Sequence, residues 1–144
     1  MKFFTGGRIK KNTKSKDIEM MAYLTSGDET NILISKTADV SEAKANTTIT
    51  KVVQFSLVDA DGNVHNSYSK GGYTVTATPS AGAITMTPTG SANVAFVNGV
   101  ATVSCAINAA CHNNAGANTI VLTAQAIHGV TPSGANLTHT ITFT

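Results

Sequence analysis

From Thr48 to the last residue, apolar side chains recur at every second position, and that rhythm limits what the chain can fold into. A period of two puts alternate side chains on opposite faces of an extended strand, so each strand can bury one face and wet the other. Val53, Phe55 and Leu57 alternate with Gln54 and Ser56. Tyr73, Val75 and Ala77 alternate with Thr74, Thr76 and Thr78 until Pro79. Residues 83–87 make a short run before Pro88. Val94 and Phe96 alternate with Asn93 and Ala95, and Ala101, Val103, Cys105 and Ile107 with Thr102, Ser104 and Ala106. Ile120, Leu122 and Ala124 form another set, and Leu137, His139, Ile141 and Phe143 the last.

The breaks between these runs are turn residues. Asn98-Gly99 sits between two alternating runs, the strongest short-range hairpin signal, and Asp61-Gly62 supplies another turn. About seven short strands in about 100 residues predict an all-β, immunoglobulin-like sandwich over residues 48–144. A core is affordable without large rings: 42% of residues are hydrophobic, only 6% are aromatic, and there is no Trp.

Charge is distributed as unevenly as the pattern. Residues 1–16 carry Lys2, Arg8, Lys10, Lys11, Lys14 and Lys16 and no acid. Residues 17–70 hold all eight acids and the remaining four Lys, a net of 4 − 8 = −4. Residues 71–144 contain no Asp, Glu, Lys or Arg. An average chain is about a quarter charged, so the surface of this half must be Thr, Ser, Asn and Gly. Little like-charge repulsion keeps neighbours away from such a surface. It suits a protein packed in an assembly or exposed outside a cell, and fits a free cytosolic enzyme poorly.

The organisation read from these features has three parts. Residues 1–16 form an extended, flexible basic arm. Residues 17–47 are a docking or linker segment. It has a short helix over Lys16 to Ala22, capped by Ser15 with Ile18, Met21 and Ala22 on one face, a strand from Thr30 to Ser35, and a linker or helical turn over 40–46. Residues 48–144 are the sandwich. No apolar run near the N-terminus reads as a secretion signal, and no stretch is long enough for a membrane span.

Residues 48–144 resemble a bacterial immunoglobulin-like (Big) domain. The resemblance rests on Leu57-Val58-Asp59-Ala60-Asp61-Gly62-Asn63-Val64, on Tyr73-Thr74-Val75-Thr76-Ala77, and on Val97-Asn98-Gly99-Val100-Ala101-Thr102-Val103 followed by Gly116 and the run Asn118 to Ala124. The family usually has a Pro soon after the Asp-Gly-Asn turn; this chain has Val64-His65. Such domains serve as spacers, adhesive modules and capsid or tail decorations, so the resemblance implies structure and binding rather than catalysis.

The residues offer little chemistry. Asp59, Asp61 and Asn63 open like a calcium loop, but the sixth position is Val64 and the twelfth Lys70, where Gly and Glu are needed; a polar turn is the favoured reading. His65, His112, His128 and His139 are scattered, without the close ligand pairs of a zinc site. His139 lies in the apolar register of its run, which suggests a ring nitrogen bonded to a carbonyl. Cys105 and Cys111 either close a small disulfide loop or remain free thiols, the second being favoured without a secretion signal. Phosphate loops, dinucleotide fingerprints and nucleophile elbows are lacking, so no cofactor is expected. The sandwich's only carboxylate pair, Asp59 and Asp61, sits on one turn, and such positions rarely flank a substrate as glycoside chemistry demands.

The arm remains the most functional-looking feature. Arg8, Lys10, Lys11, Lys14 and Lys16 would engage an acidic partner, with Phe3, Phe4 and Ile9 as apolar anchors; the alternative is a solvated tail. Two functions follow. One is a non-enzymatic virion structural protein, a bacteriophage capsid decoration or tail component. It would be made in the host cytoplasm, be homo-oligomeric in the particle, and be able to touch the host surface through its sandwich. The other is a cell-surface adhesin or S-layer-like module that binds carbohydrate or protein. Nucleic acid is disfavoured as a partner, because no aromatic stacking platform is present.

Overall fold

The computed structural model describes residues 33–127 and 129–144. The basic arm, the expected helix near residues 16–22, the first residues of the expected 30–35 strand and His128 lie outside the described residues. Within them the chain is an all-β sandwich of two sheets.

Ten strands build it: β1 (Leu33–Lys36), β2 (Val40–Glu42), β3 (Ile49–Val58), β4 (Lys70–Tyr73), β5 (Val75–Thr78), β6 (Ile84–Thr87), β7 (Val94–Val97), β8 (Val100–Ile107), β9 (Gly116–Leu122) and β10 (Thr138–Phe143). The first sheet runs β1-β3-β8-β7-β4, with β6 also paired to β8; the second runs β2-β10-β9-β5. In the immunoglobulin scheme, β1, β3, β8 and β7 occupy the A, B, E and D positions of one sheet. β5, β9 and β10 occupy C, F and G of the other.

Burial follows the alternation. β3 buries Val53, Phe55 and Leu57, and β8 buries Ala101, Val103, Cys105 and Ile107. Across the sandwich, Val75, Ile120, Leu122, Ile141 and Phe143 close the core. Phe55 and Phe143 are the largest of its fully enclosed side chains; emptying either position costs about 3–5 kcal/mol. The Asn98-Gly99 hairpin forms as the sequence predicts. Both residues have positive φ, 51° and 84°, which is the type I′ geometry that joins β7 to β8 in two residues.

Three features differ from the sequence reading. The sequence predicts a linker or helical turn over residues 40–46, yet Val40–Glu42 is a strand running parallel to β10. With β1 antiparallel to β3, residues upstream of Thr48 therefore add a strand to each sheet. The run from Tyr73 to Thr78 is continuous in pattern but splits between sheets. Tyr73 pairs with Val94 in the first sheet, and Val75 with Leu122 in the second. A short helix, α1 (Ala109–His112), stands between β8 and β9 where the alternation predicts no element.

Candidate interaction surface

The sequence places partner contact on Phe3, Phe4, Arg8, Lys10, Lys11, Lys14 and Lys16, all outside the described residues. In the sandwich, the informative property is where its charges point. Directly paired residues on neighbouring strands project to the same side of a sheet. Lys36 pairs with Phe55, Lys51 with Cys105, Lys70 with Phe96, and Glu42 with Phe143. Each partner is buried, so these four charged residues sit in the inward register, at the margins of the sandwich. There their stems cover apolar surface while their heads reach water. Lys51 bridges to Glu42, and the Lys36 ammonium lies 2.7 Å from Asp39 Oδ1.

The broad outer faces are left without charge. On the first sheet, Thr50, Val52 and Gln54 of β3 stand beside Ala106, Ser104 and Thr102 of β8, and Thr85 and Thr87 of β6 continue two of those rows. Gln54 donates to Thr102 Oγ1 at 3.2 Å. On the second sheet, Thr138, Val121 and Thr76 form one row and Thr140, Thr119 and Thr78 the next. These surfaces offer hydroxyls and methyls. They can make contacts and hydrogen bonds, but none of these residues gains or loses a proton near neutral pH.

Several polar side chains inside the sandwich are occupied as structural partners. Asn108 caps α1 by accepting from the Cys111 N–H at 2.9 Å, and also accepts from the Ala83 N–H. Cys111 Sγ donates to Asn118 Oδ1 at 3.2 Å, which also takes the Ser80 N–H at 2.7 Å, while Asn118 Nδ2 donates to the Ile141 carbonyl. His112 Nδ1 donates to the Thr47 carbonyl at 2.7 Å, and its ring packs on Phe143. Cys111, His112 and Asn118 are the residue types of a thiol hydrolase in a different geometry. The thiol bonds the amide, the imidazole bonds backbone, and all three are buried. Burial pushes the Cys111 thiol up and the Cys105 thiol up to about 11, away from the reactive thiolate. Both cysteines are free. Helix α1 is absent from the sequence reading; an Asn followed by Ala-Ala is the capping signal that could have revealed it.

His139 lies on the inward face of β10, with Nδ1 3.0 Å from the Thr37 carbonyl, as its apolar register suggests. The Asp59 turn is closed internally. Its Oδ1 accepts the N–H groups of Asp61 and Asn63, both at 2.9 Å, and these bonds hold its carboxyl below the usual carboxylate range. Among the described residues no three of His, Cys, Asp and Glu gather into a metal-sized group. A crevice lined by Ile34, Leu57, Tyr68, Tyr73 and Phe96 encloses about 10 Å³, the room of one water; the two tyrosine hydroxyls are hydrogen-bonded at 3.0 Å. No helix among the described residues is long and apolar enough to cross a membrane.

No protein-family model matches this chain, and no curated protein matches it.

Proposed function

We propose that this protein is a non-enzymatic structural component of a virus particle, a bacteriophage capsid decoration or tail component, attached through its N-terminal segment. In this reading the sandwich is a bacterial immunoglobulin-like domain that faces outward or packs on neighbours. The observation that carries it is the segregation of charge. Six Lys and Arg without an acid occupy residues 1–16, and residues 71–144 have no Asp, Glu, Lys or Arg. A basic arm gives electrostatic attachment to an acidic particle surface, and a neutral body tolerates close packing among many copies.

The chemistry of the sandwich agrees with a contact role. Its outer faces carry Thr, Ser, Ala, Val and Gln, and its buried Cys111, His112, Asn118 and His139 side chains are spent on internal hydrogen bonds. The test is deletion of residues 1–16 followed by particle binding. Loss of attachment, together with weakening of the intact protein's attachment as salt rises, is the expected result. Unchanged attachment of the deleted chain would sink the reading.

A further inference from the structure

Asn98-Gly99 closes the β7–β8 hairpin and is the one Asn-Gly pair in the chain. Such a pair can react with itself, because a residue without a Cβ leaves its backbone nitrogen unhindered to attack the preceding side-chain amide. Here three hydrogen bonds pin the peptide planes around the pair. The Asn98 N–H donates to Ser69 Oγ at 2.9 Å. The Gly99 N–H donates to the Tyr68 carbonyl at 2.6 Å, and the Gly99 carbonyl accepts the Leu57 N–H at 2.9 Å. The first two fix the planes on either side of the Asn98 Cα. Attack requires that the second plane rotate until the Gly99 nitrogen faces Asn98 Cγ, and that the Gly99 N–H be released.

The segment that supplies two of the acceptors also crowds the nucleophile. Gly99 is buried, and a Cβ placed on it would fall 2.5 Å from the His65 carbonyl oxygen and 2.8 Å from Val64 Cγ1. Residues 64–69 thus close over the turn, and only glycine fits beneath them. The close fit that demands glycine creates the reactive pair, and the same segment restrains it. Asn98 itself is exposed, so water reaches its amide.

We propose that Asn98 is a self-modification site, held unreactive by residues 64–69 and deamidated when that segment lifts. The Gly99 nitrogen forms a bond to Asn98 Cγ, and the Cγ–Nδ2 bond breaks. The amide nitrogen leaves as ammonia, carrying the proton that the Gly99 nitrogen gives up. Water then opens the five-membered imide at either carbonyl, leaving an aspartyl or an isoaspartyl residue at position 98. Both products place a carboxylate in residues 71–144, a stretch with no Asp, Glu, Lys or Arg. The isoaspartyl form also routes the main chain through Cβ. That lengthens a loop that type I′ geometry closes with two residues, so Phe96–Ala101 and Val97–Val100 cannot pair again unchanged. A chain that opens here is therefore marked, and its isoaspartyl form does not return to the same hairpin. This chemistry is independent of how the chain attaches to a particle.

Timed incubation of the full chain in mildly alkaline buffer, native or in guanidinium chloride, tests it by peptide mass mapping and ammonia release. The denatured chain should exchange amide for acid at residue 98 at least about tenfold faster than the native chain, because native reaction waits on local opening. Isomerisation at Asp61-Gly62 changes no mass and frees no ammonia, so it is told apart. Ser69→Ala, at an exposed residue, removes one clamping bond and should speed the native reaction about fivefold. Ser69→Thr, which keeps a hydroxyl, should restore the parent rate. Circular dichroism checks that both variants fold, and the native-against-denatured comparison needs neither. Equal rates in the native and denatured chains would overturn the proposal. So would a folded Ser69→Ala chain that reacts no faster than the parent, or a denatured chain in which Asn98 stays intact.

Discussion

The Nδ1–H of His139 is donated to the carbonyl of Thr37, 102 residues away in sequence, at 3.0 Å. This bond fixes the point where the chain leaves β1 in one sheet to enter β2 in the other. The next residue strengthens it, because the Thr140 N–H donates to Asp39 Oδ1 at 2.8 Å. His139 is almost wholly buried, so replacing it with Ala leaves both a void and an unpaired carbonyl. His139→Ala should cost about 2–3 kcal/mol. It should also strip hydrogen-exchange protection from β2 before the rest of the second sheet. A variant in which β2 exchanges no faster than in the parent would show that β10 pairing alone holds the crossing.

The two thiols give a second prediction. Cys105 and Cys111 are free and fully buried, and burial raises both out of the reactive range. In the native protein near neutral pH, an aromatic disulfide reagent should titrate no thiols; in denaturant it should titrate two per chain. The intact mass without reductant should be that of the dithiol. Rapid reaction of one thiol in the folded state would mean that the α1 turn opens, exposing the Cys111–Asn118 pair.

How far these features could be read in advance depends on the range of the interactions that set them. Most strands after residue 48 are legible, because alternation is a local property and Asn98-Gly99 forms its turn with its own two residues. The switch at Thr74 is not. Tyr73 and Val75 continue one rhythm, and the sheet each joins is decided by remote partners: Ala92 N–H donates to Thr74 Oγ1, and Val75 N–H to the Gly90 carbonyl. Strand β2 is three residues long, too short for a period. It exists because Thr144 N–H donates to the Glu42 carbonyl and His139 anchors its approach. The neutral faces were half legible. The absence of charge after residue 70 is plain in the sequence, but the inward turn of Lys36, Lys51 and Lys70 appears only once register is known.

Asp39 supplies the third prediction. Its carboxylate is held below the ordinary aspartate value, first by the hydrogen bond from Lys36 and then by the Thr140 N–H. A carboxylate with a lowered folded pKa stabilises the fold above its unfolded pKa. That contribution is lost as pH falls through the folded value, so the window lies below about pH 4. The side chain is 55% exposed and solvent screens it, which keeps the effect under about 1 kcal/mol. Asp39→Asn should therefore melt slightly lower than the parent at neutral pH and converge with it in strong acid. Parallel melting curves down to the lowest pH would show that the Lys36 and Thr140 contacts add nothing to stability.

Gly90 gives the fourth. Its carbonyl accepts the Val75 N–H, at the start of the strand that crosses to the second sheet. A Cβ at Gly90 would fall 1.8 Å from the Val75 carbonyl oxygen and 2.7 Å from Met86 Cε. The methionine end can move, but the backbone oxygen belongs to β5 and cannot shift without breaking pairing to β9. Gly90→Ala should destabilise by at least about 2 kcal/mol. That corresponds to a fall in Tm of about 8 °C or more. Gly71→Ala is the control, since its Cβ would meet only Ala95 Cβ at an ordinary 3.7 Å. Equal melting of the two variants would place the Val75 carbonyl elsewhere and remove Gly90 as the reason the strand changes sheets there.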